Sequence, residues 1–162
     1  MIRSATPDDA AAIAEIYNYY IENSVATFEE IKVTIADMGT RIQKVTSKLP
    51  WIVYEKDGLI LGYAYATQWK PRSAYRKSVE STVYVAPNAY QKGIGRKLYV
   101  ELIDQLKVLT LHAVLAGITL PNEASIALHE HLGFVKVGQF KEVGFKFQKW
   151  VDVGYWQLIL NY

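Results

Sequence analysis

The sequence predicts a single α/β domain over residues 1–162, and three observations support that fold class. A length of 162 residues suits one domain with its own core. A composition of 51% hydrophobic and 21% charged residues is typical of a packed globular chain. The apolar spacing alternates between helical and strand periods without internal repeats. It predicts the order β-α-α-β-β-β-α-β-α-β-β with mixed strand directions.

The N-terminal third predicts a short strand and two helices. Ile2 to Ser4 is strand-like. Thr6-Pro7-Asp8-Asp9 predicts a helix start, because it combines a capping hydroxyl, a proline at the first helical position and acids in the first turn. That helix ends near Asn23, and a second helix over Thr34 to Lys48 ends before Pro50. The two apolar stripes are Ile13, Ile16, Tyr17, Tyr20 and Ile21, and then Ile35, Met38, Ile42, Val45 and Leu49.

The middle of the chain predicts three strands. Two aromatic-rich runs, Trp51 to Glu55 and Leu59 to Thr67, meet at Lys56-Asp57-Gly58, which is a hairpin signal because Asp-Gly accommodates positive φ. The third strand, Val79 to Val85, places alternate side chains on opposite faces. One face carries Val79, Ser81, Val83 and Val85, and the other carries Glu80, Thr82 and Tyr84.

The second half of the chain predicts two helices and three strands. A glycine-containing loop opens the first helix, and Gly133 ends the second. The stretch 141–150 allows two structures, a loop or an extended arm. The predicted elements are a helix over Ile94 to Lys107, a buried strand over Leu111 to Ile118, a short helix over Asn122 to Leu132, and strands over Phe134 to Phe140 and Val151 to Leu160.

Several functional classes are disfavoured by what the sequence lacks. It contains no cysteine, which excludes disulfides, thiolate metal ligands and a cysteine nucleophile and favours a reducing cytoplasm. The longest stretch without a charge, Val108 to Asn122, is shorter than the roughly 20 apolar residues of a membrane-spanning helix. No signal peptide is recognisable. His129 and His131 lie on different sides of a helix, so no metal site is expected. We therefore expect a cytoplasmic protein without a membrane partner.

Charge is distributed unevenly, although the net charge is only +2. Residues 1–57 carry nine acidic and six basic side chains, a balance of −3, and the rest carry seven acidic and twelve basic ones, a balance of +5. This predicts an anionic ligand or, alternatively, a solvated face. Nucleic acid is not expected, because a pI of about 8.6 is low for such a domain. The basic cluster comprises Lys70, Arg72, Arg76, Lys77, Lys92, Arg96 and Lys97.

A glycine loop follows the strand that ends at Val85. In Tyr90-Gln91-Lys92-Gly93-Ile94-Gly95-Arg96, the glycines let successive backbone N–H groups and the next helix start point at one spot, which suits phosphate oxygens. A tight turn before a helix is the plainer alternative. The loop lacks the Gly-Lys-Ser/Thr ending of a P-loop and the third glycine of a dinucleotide motif, so ATP and NAD are disfavoured.

The strand Val83-Tyr84-Val85, the glycine loop, and Asn122-x-x-Ser125-x-x-x-His129-x-x-x-Gly133-Phe134 together resemble the GNAT superfamily of acetyl-CoA-dependent N-acetyltransferases. The resemblance implies a GNAT-like fold, with a mixed, mostly antiparallel twisted sheet and helices on both faces. It is greatest to phosphinothricin and methionine sulfoximine N-acetyltransferases. The segments that carry it are Tyr20-Ile21-Glu22-Asn23-Ser24, Glu80-Ser81-Thr82-Val83-Tyr84-Val85, Leu128-His129-Glu130-His131-Leu132-Gly133-Phe134 and Trp150-Val151-Asp152-Val153-Gly154-Tyr155-Trp156-Gln157.

The resemblance implies that acetyl-CoA is the cosubstrate. Strand backbone would pair with the pantetheine arm, the glycine loop would hold the pyrophosphate, and Asn122 would lie near the thioester. Tyr90 departs from the superfamily, which commonly has Gln or Arg there. The implied cofactor-binding residues are Val83, Tyr84, Val85, Gln91, Lys92, Gly93, Ile94, Gly95, Arg96, Asn122 and Ser125.

Acetyl transfer to an amine needs a base for the ammonium proton and benefits from an acid for the departing thiolate. Glu80 is the candidate base, and a solvated carboxylate paired with Arg76 or Lys77 is the alternative. His129 is the candidate acid, or a partner that polarises the site, and a structural histidine is the alternative. From the family we also expect a β-bulge near Val83 that frees a backbone N–H for the oxyanion.

The resemblance implies a small amino-acid-like amine as substrate and a role in detoxification. Positions that phosphinothricin enzymes use around their substrate match Lys70, Arg72, Tyr75, Phe28 and Thr82, and a guanidinium suits carboxylate or phosphinate oxygens. Alternatives are acetylation of a peptide or protein N-terminus and a non-catalytic acetyl-CoA-binding module. A homodimer is also implied, through the aromatic segment 155–162, although core packing explains that segment equally well.

Overall fold

A computed structural model describes residues 1–90 and 92–161 of the protein, and it confirms the predicted order of elements. Seven strands form one sheet in the order β1-β2-β3-β4-β5-β7-β6. The elements are β1 (Ile2–Ser4), α1 (Ala10–Asn23), α2 (Ile35–Thr46), β2 (Trp51–Lys56), β3 (Leu59–Gln68), β4 (Ser78–Val85), α3 (Ile94–Val108), β5 (Ala113–Thr119), α4 (Glu123–His131), β6 (Val135–Lys146) and β7 (Lys149–Ile159).

Neighbouring strands pair antiparallel everywhere except between β4 and β5, which are parallel. The β2–β3 hairpin turns at Asp57 and Gly58 with φ of 53° and 76°, which confirms the turn that Asp-Gly predicts. Between β3 and β4, Thr67 lies opposite Glu80 and Tyr65 opposite Thr82. The face of β4 that carries Glu80 is therefore continuous with Thr67 and Tyr65 on β3.

Helices cover both faces of the sheet, as the resemblance implied. On the Glu80 face, the Tyr17 ring of α1 lies 5.4 Å from the Tyr84 ring. On the opposite face, the Tyr99 hydroxyl of α3 lies 2.8 Å from Ser81 Oγ. In residues 1–90 and 92–161, none of the helices has the length and apolar character needed to cross a membrane.

The ends of the first two helices differ from the sequence prediction. The residues Pro7–Asp9 form a 3₁₀ turn, and α1 begins only at Ala10. Thr34 caps α2 by accepting a hydrogen bond from the Asp37 N–H at 3.1 Å, but the helix ends at Thr46, before Lys48. Ile35 was wrong as a member of the buried stripe. It is 60% exposed because it lies in the first turn, before the helix reaches the sheet.

The stretch 141–150 is an extended arm. Strand β6 continues to Lys146 and turns into β7 through Phe147 and Gln148, which adopt φ of 52° and 60°. Buried Lys146 donates hydrogen bonds from Nζ to the carbonyl oxygens of Ser24 at 2.8 Å and Thr27 at 2.9 Å. The arm is thereby fixed to the loop that follows α1.

Candidate active site

A cleft opens where β4 and β5 diverge. Their pairing stops at Glu80 opposite Leu115, whereas β4 stays on β3 up to Val85 and β5 stays on β7 up to Thr119. Residues 81–85 therefore have no strand partner on their β5 side. The predicted β-bulge at Val83 is wrong, because the β3–β4 register runs without a shift. Divergence of the strands, rather than a bulge, leaves backbone groups of β4 without a strand partner and open to a ligand, although the Val85 carbonyl accepts a hydrogen bond from the Tyr20 hydroxyl.

A cavity of about 520 Å³ occupies this cleft and collects most of the residues that the sequence singles out. Lys92 lies outside its lining, is exposed, and donates from Nζ to the Asn88 carbonyl at 3.3 Å. Gln91, also an expected cofactor ligand, lies outside the described residues. The expected residues that line the cavity are Glu80, Thr82, Val83, Tyr84, Val85, Gly93, Ile94, Gly95, Arg96, Asn122, Ser125 and His129.

The N-terminus of α3 borders this cavity and has the features of an anion site. Gly93 is its N-cap and adopts φ of 72°, a left-handed conformation that glycine tolerates without strain. No side chain caps this end of the helix, so the first-turn N–H groups remain available to an anion. Arg96 adds a positive charge beside them. This arrangement fits the pyrophosphate of a coenzyme A thioester.

Asn122 fixes the start of α4 on the other side of the cleft. Its Oδ1 accepts a hydrogen bond from the Ser125 N–H at 3.1 Å, which makes it the N-cap of that helix. Because Asn122 and Ser125 line the cavity, the cap holds both at its wall.

Glu80 is half-buried in the lining of the cleft, and its carboxylate forms no hydrogen bond or ion pair with the residues that the structure describes. The cations proposed as alternative partners lie elsewhere, since Arg76 donates to the Ser73 carbonyl and Lys77 to Thr110. Burial raises the pKa of the Glu80 carboxyl, and the positive charge of Lys70 partly opposes that rise. The carboxylate is thus poised to accept a proton.

Gly117 on β5 lies beside Glu80 in the cavity lining and has no side chain to fill the gap between them. A Cβ at this position would lie 3.5 Å from Glu80 Oε1 and 3.2 Å from the Tyr155 ring. The Trp69 ring packs edge-on against Tyr155 with centroids 5.5 Å apart. Sequence reasoning missed Gly117 and both aromatic residues. A glycine inside a strand was the available signal, because it often marks a close approach of ligand or backbone.

His129 is 3% exposed and belongs to a chain of hydrogen bonds. Its Nδ1 lies 2.6 Å from the Ser125 carbonyl, so this nitrogen carries the proton and donates. Its Nε2 then accepts from the Tyr99 hydroxyl at 2.7 Å, and Ser81 Oγ lies 2.8 Å from that hydroxyl. Burial lowers the pKa of His129, which keeps the ring neutral. Tyr99 was not anticipated, because its spacing on α3 is that of an ordinary core residue.

Of the expected substrate residues, Thr82 is the one that the cavity lining includes. Lys70 stands over the Trp69 ring at 5.0 Å, and Arg72 and Tyr75 are exposed in the loop between β3 and β4. Phe28 lies against Gly144 of the arm, where an added Cβ would clash with its ring.

Comparison with known proteins shows what this architecture is. The family model described as an acetyltransferase (GNAT) domain matches residues 2–154. The chain belongs to the GNAT acetyltransferases. It is therefore an acetyl-CoA-dependent N-acetyltransferase, which sets aside the non-catalytic module.

Two curated relatives are similar to this GNAT enzyme over nearly its whole length. A phosphinothricin N-acetyltransferase of Streptomyces viridochromogenes is 40% identical over 156 residues, which cover 96% of this chain and 85% of that protein. An L-methionine sulfoximine/L-methionine sulfone acetyltransferase of Salmonella typhimurium is 38% identical over 164 residues, covering 99% and 94%. The likeness confirms the subgroup that the sequence motifs indicated.

A solved GNAT structure extends the likeness to the cosubstrate. A phosphinothricin acetyltransferase of Sinorhizobium meliloti in complex with acetyl-CoA superposes with a TM-score of 0.96 at 37% identity, covering 99% of this chain and 88% of that one. The free β4 backbone and the uncapped start of α3 fit the same ligand in this enzyme. Acetyl-CoA supplies the activated acetyl group as a thioester.

Proposed function

We propose that this enzyme acetylates the α-amino group of a small amino-acid analogue, such as phosphinothricin, methionine sulfoximine or methionine sulfone. One observation carries the proposal. The Glu80 carboxylate is half-buried and unpartnered in the described chain, and it lies beside Gly117, in the same cavity as the uncapped helix. The relatives that act on such analogues support the choice of substrate class. Acetylation removes the positive charge of the amine, which would account for a role in detoxification.

Glu80 is the proposed general base. An amino acid enters as an ammonium ion, which cannot attack a carbonyl carbon until it loses a proton. Because burial raises the pKa of Glu80 towards neutrality, its carboxylate is a stronger proton acceptor than an exposed one. The space at Gly117 lets the amine nitrogen come within reach of Oε1.

Two protons leave the acceptor nitrogen during the reaction. Glu80 accepts the first and passes it to solvent before the N–C bond forms. As that bond forms and the C–S bond breaks, the nitrogen loses its second proton and the departing thiolate takes up a proton, so the products are the amide and the free thiol of coenzyme A. A thiol resembling cysteine has a pKa of about 8.5, so the thiolate is a far better leaving group than the amine. The backbone groups of residues 81–85 on the β5 side are the proposed donors to the carbonyl oxygen.

His129 is the proposed positioning residue of the opposite wall. Of the two roles expected for it, proton donor and polarising partner, the contacts support the second. A neutral ring with its N–H already donated to the Ser125 carbonyl has no proton to give at neutral pH. Through the Tyr99 hydroxyl it fixes Ser81, a β4 residue at the cavity wall.

The glycine loop and the end of β4 are the proposed cofactor site. Val83, Tyr84 and Val85 would offer backbone to the pantetheine arm, and Gly93, Ile94, Gly95 and Arg96 would hold the pyrophosphate together with Lys92. Gln91 stays a prediction of the sequence. Asn122 and Ser125 would face the acetyl end of the cosubstrate.

The proposed site for the anionic group of the substrate is formed by Lys70, Arg72 and Tyr75, in the segment between β3 and β4. Lys70 is close enough to lower the pKa of Glu80 and would also attract an acidic side chain. Arg72 and Tyr75 are exposed, with donors available to carboxylate or phosphinate oxygens. Phe28 and Thr82 would border the same space.

A panel of amines tests the substrate class. Thiol release from acetyl-CoA is measured with phosphinothricin, methionine sulfoximine, methionine sulfone, unmodified methionine and a peptide with a free N-terminus. We expect the highest kcat/KM with the anionic or strongly polar analogues. A peptide that outperforms them all would overturn the substrate class, and the alternative of N-terminal acetylation would replace it.

A homodimer through the β6–β7 arm is also proposed. Within the aromatic segment 155–162, Trp156 and Leu160 are each 2% exposed and cannot supply such a contact, and Tyr162 lies outside the described residues. Strand β6 instead forms the sheet edge and exposes several apolar side chains. Light scattering on the Phe145→Glu/Trp150→Glu variant tests this. A dimer should become a monomer, and a native protein that is already monomeric would refute the contact. The exposed residues are Val135, Val137, Phe140, Val143, Phe145, Phe147 and Trp150.

A further inference from the structure

Strand β6 is buried at two positions only, Gly144 and Lys146, and its other ten positions are exposed. Because side chains alternate between the two sides of a strand, these two positions lie on the same side of the arm. Both contact residues 24–28, which follow α1 and are called here the 24–28 loop. The burial on β6 is therefore confined to its contact with this loop.

The ammonium group of Lys146 holds the 24–28 loop at two points. Lys146 is 2% exposed, and its Nζ donates to the carbonyl oxygens of Ser24 and Thr27 at 2.8 and 2.9 Å. It forms no ion pair in the described part of the chain, and it lies 5.0 Å from the centre of the Phe147 ring. Burying a cation without a carboxylate costs free energy of desolvation. An apolar side chain would avoid that cost but would leave both carbonyls without these bonds.

The 24–28 loop forms part of the wall of the active-site cavity. Ala26 and Thr27 line that cavity together with Glu80. From the sheet, the Tyr84 hydroxyl donates to the Ala26 carbonyl at 3.2 Å. From α1, the Tyr17 hydroxyl lies 2.8 Å from Thr27 Oγ1. The loop is thus held between the arm on one side and residues of the Glu80 face on the other.

Phe28, an expected substrate residue, depends on the same side of the arm. Its ring fills the space in front of Gly144, where an added Cβ would clash with it. The ring is 39% exposed, so the arm supports one part of it and another part is open to solvent. Gly144 and Lys146 together determine where the Phe28 ring and the loop backbone lie.

We propose that Lys146 is a positioning residue for the amine substrate, an inference that rests on the function proposed above. By binding the Ser24 and Thr27 carbonyls, it fixes the wall of the cavity that the amine meets beside Glu80. Acetyl-CoA depends less on this wall, because its proposed contacts are the β4 backbone and the start of α3. Loss of the Lys146 hydrogen bonds should therefore impair use of the amine more than use of acetyl-CoA.

Lys146→Met tests this inference, because methionine keeps an unbranched apolar chain and removes the donors. Steady-state kinetics use the amine of the panel that the native enzyme acetylates fastest. We expect the KM for that amine to rise at least about tenfold and the KM for acetyl-CoA to stay within about twofold. The matched control is Lys149→Met, at the exposed position paired with Lys146 in the β6–β7 hairpin, which should leave both constants unchanged.

Amide hydrogen exchange gives a second readout that needs no substrate. In Lys146→Met, peptides that cover residues 24–28 should exchange at least about tenfold faster than in the native protein, whereas those that cover α3 should keep their native rates. Lys149→Met should match the native protein in both regions. That pattern would mean that the loop is released while the fold is kept.

The role of Lys146 is overturned if exchange of the 24–28 loop does not change in Lys146→Met, if the KM for the amine does not change, or if both KM values rise equally. Should Lys146→Met not fold, Gly144→Ala decides by the same measurements, since it displaces Phe28 and keeps the lysine. Failure of the proposed function would look different, because the native enzyme itself would then acetylate none of the amines in the panel.

Discussion

The titratable side chains on the two faces of β4 differ in their hydrogen bonding. On one face, Glu80 is half-buried and lacks a hydrogen-bond partner among the described residues. On the other, His129 uses both ring nitrogens, one towards Ser125 and one towards Tyr99. A polar group whose bonds are all made holds a wall in place, whereas an unpartnered one is available to a substrate. Proton transfer is therefore assigned to the Glu80 carboxylate, and a structural role to the His129 imidazole.

The largest effect is expected from Glu80→Gln, which keeps the shape of the side chain and removes its basicity. We expect kcat/KM to fall by about 10²–10⁴-fold, the range of general-base catalysis, with little change in the KM for acetyl-CoA. In the native enzyme, kcat/KM should decline as pH falls through the raised pKa of Glu80, and this decline should disappear in the variant.

Exposed Glu15→Gln on α1 is the matched control and should leave turnover unchanged. Turnover of the Glu80 variant that matches the native enzyme between about pH 6 and pH 9 would remove the carboxylate from the mechanism.

The Arg72→Ala variant tests whether Arg72 binds the amine substrate on the face of the sheet that carries Glu80. A hydrogen bond from a charged group contributes about 1.5–3 kcal/mol, so the KM for an anionic amino-acid analogue should rise at least about tenfold. The KM for acetyl-CoA should hardly move. Steady-state kinetics with each substrate varied in turn makes the measurement. Equal increases in the two constants would mean that Arg72 does not recognise the amine.

Gly117→Ala probes the space beside Glu80. The new methyl would stand 3.2 Å from the Tyr155 ring, so we expect the KM for the amine to rise about tenfold as the acceptor is crowded. The control is Gly138→Ala on β6, where nothing lies within 4 Å of the added atom. Unchanged amine kinetics in the first variant, with folding intact, would show that the acceptor does not occupy this space.

The Tyr99→Phe variant tests the face of β4 on which the polar groups are hydrogen-bonded to one another. It leaves His129 Nε2 without its donor, and we expect the free energy of unfolding to fall by about 1–3 kcal/mol in urea denaturation. The effect on kcat/KM should be much smaller than that of Glu80→Gln. The comparison between the faces would fail if Tyr99→Phe kept full stability while losing activity as severely as the Glu80 variant.

The smallest expected effect is the contribution of His129 to the pH dependence of the free energy of unfolding. Burial lowers the pKa of His129, so the unfolded chain binds a proton before the folded one does as pH falls. Stability from this residue should therefore be complete above its ordinary pKa of about 6.5 and should be lost as pH falls below it. Urea unfolding at about pH 7.5 and pH 5.5 should show a larger loss for the native protein than for His129→Gln. Equal losses would contradict the assignment of a neutral, buried ring.

The order and type of elements could be predicted because the local signals agree with the final packing. Asp57-Gly58 requires a turn, and the alternation along Val79 to Val85 places Glu80 and Ser81 on opposite faces. Helix ends were less predictable. The apolar residue Leu49 continues the spacing of α2, yet the chain leaves the helix at Thr46 to enter β2.

Site residues within one continuous sequence motif could be predicted. Site residues that only the fold brings together, from strands and helices distant in sequence, could not. The glycine loop and Glu80 follow each other along the chain. Gly117, Tyr155 and Tyr99 come from three other elements, and only the sheet order and the packing of α3 bring them beside β4. Periodicity marks Tyr99 as a core residue, and no sequence pattern distinguishes a core tyrosine from one that holds a histidine.

The hydrogen bond from Lys146 to Ser24 joins residues 122 positions apart. During synthesis on a ribosome, the segment that includes Thr27, a residue of the cavity wall, emerges long before its anchor exists. Contacts of such large sequence separation form late, because their loop-closure entropy must be overcome first. A nascent chain that stopped before the last two strands would carry Glu80 and the glycine loop but could not complete the pocket around them.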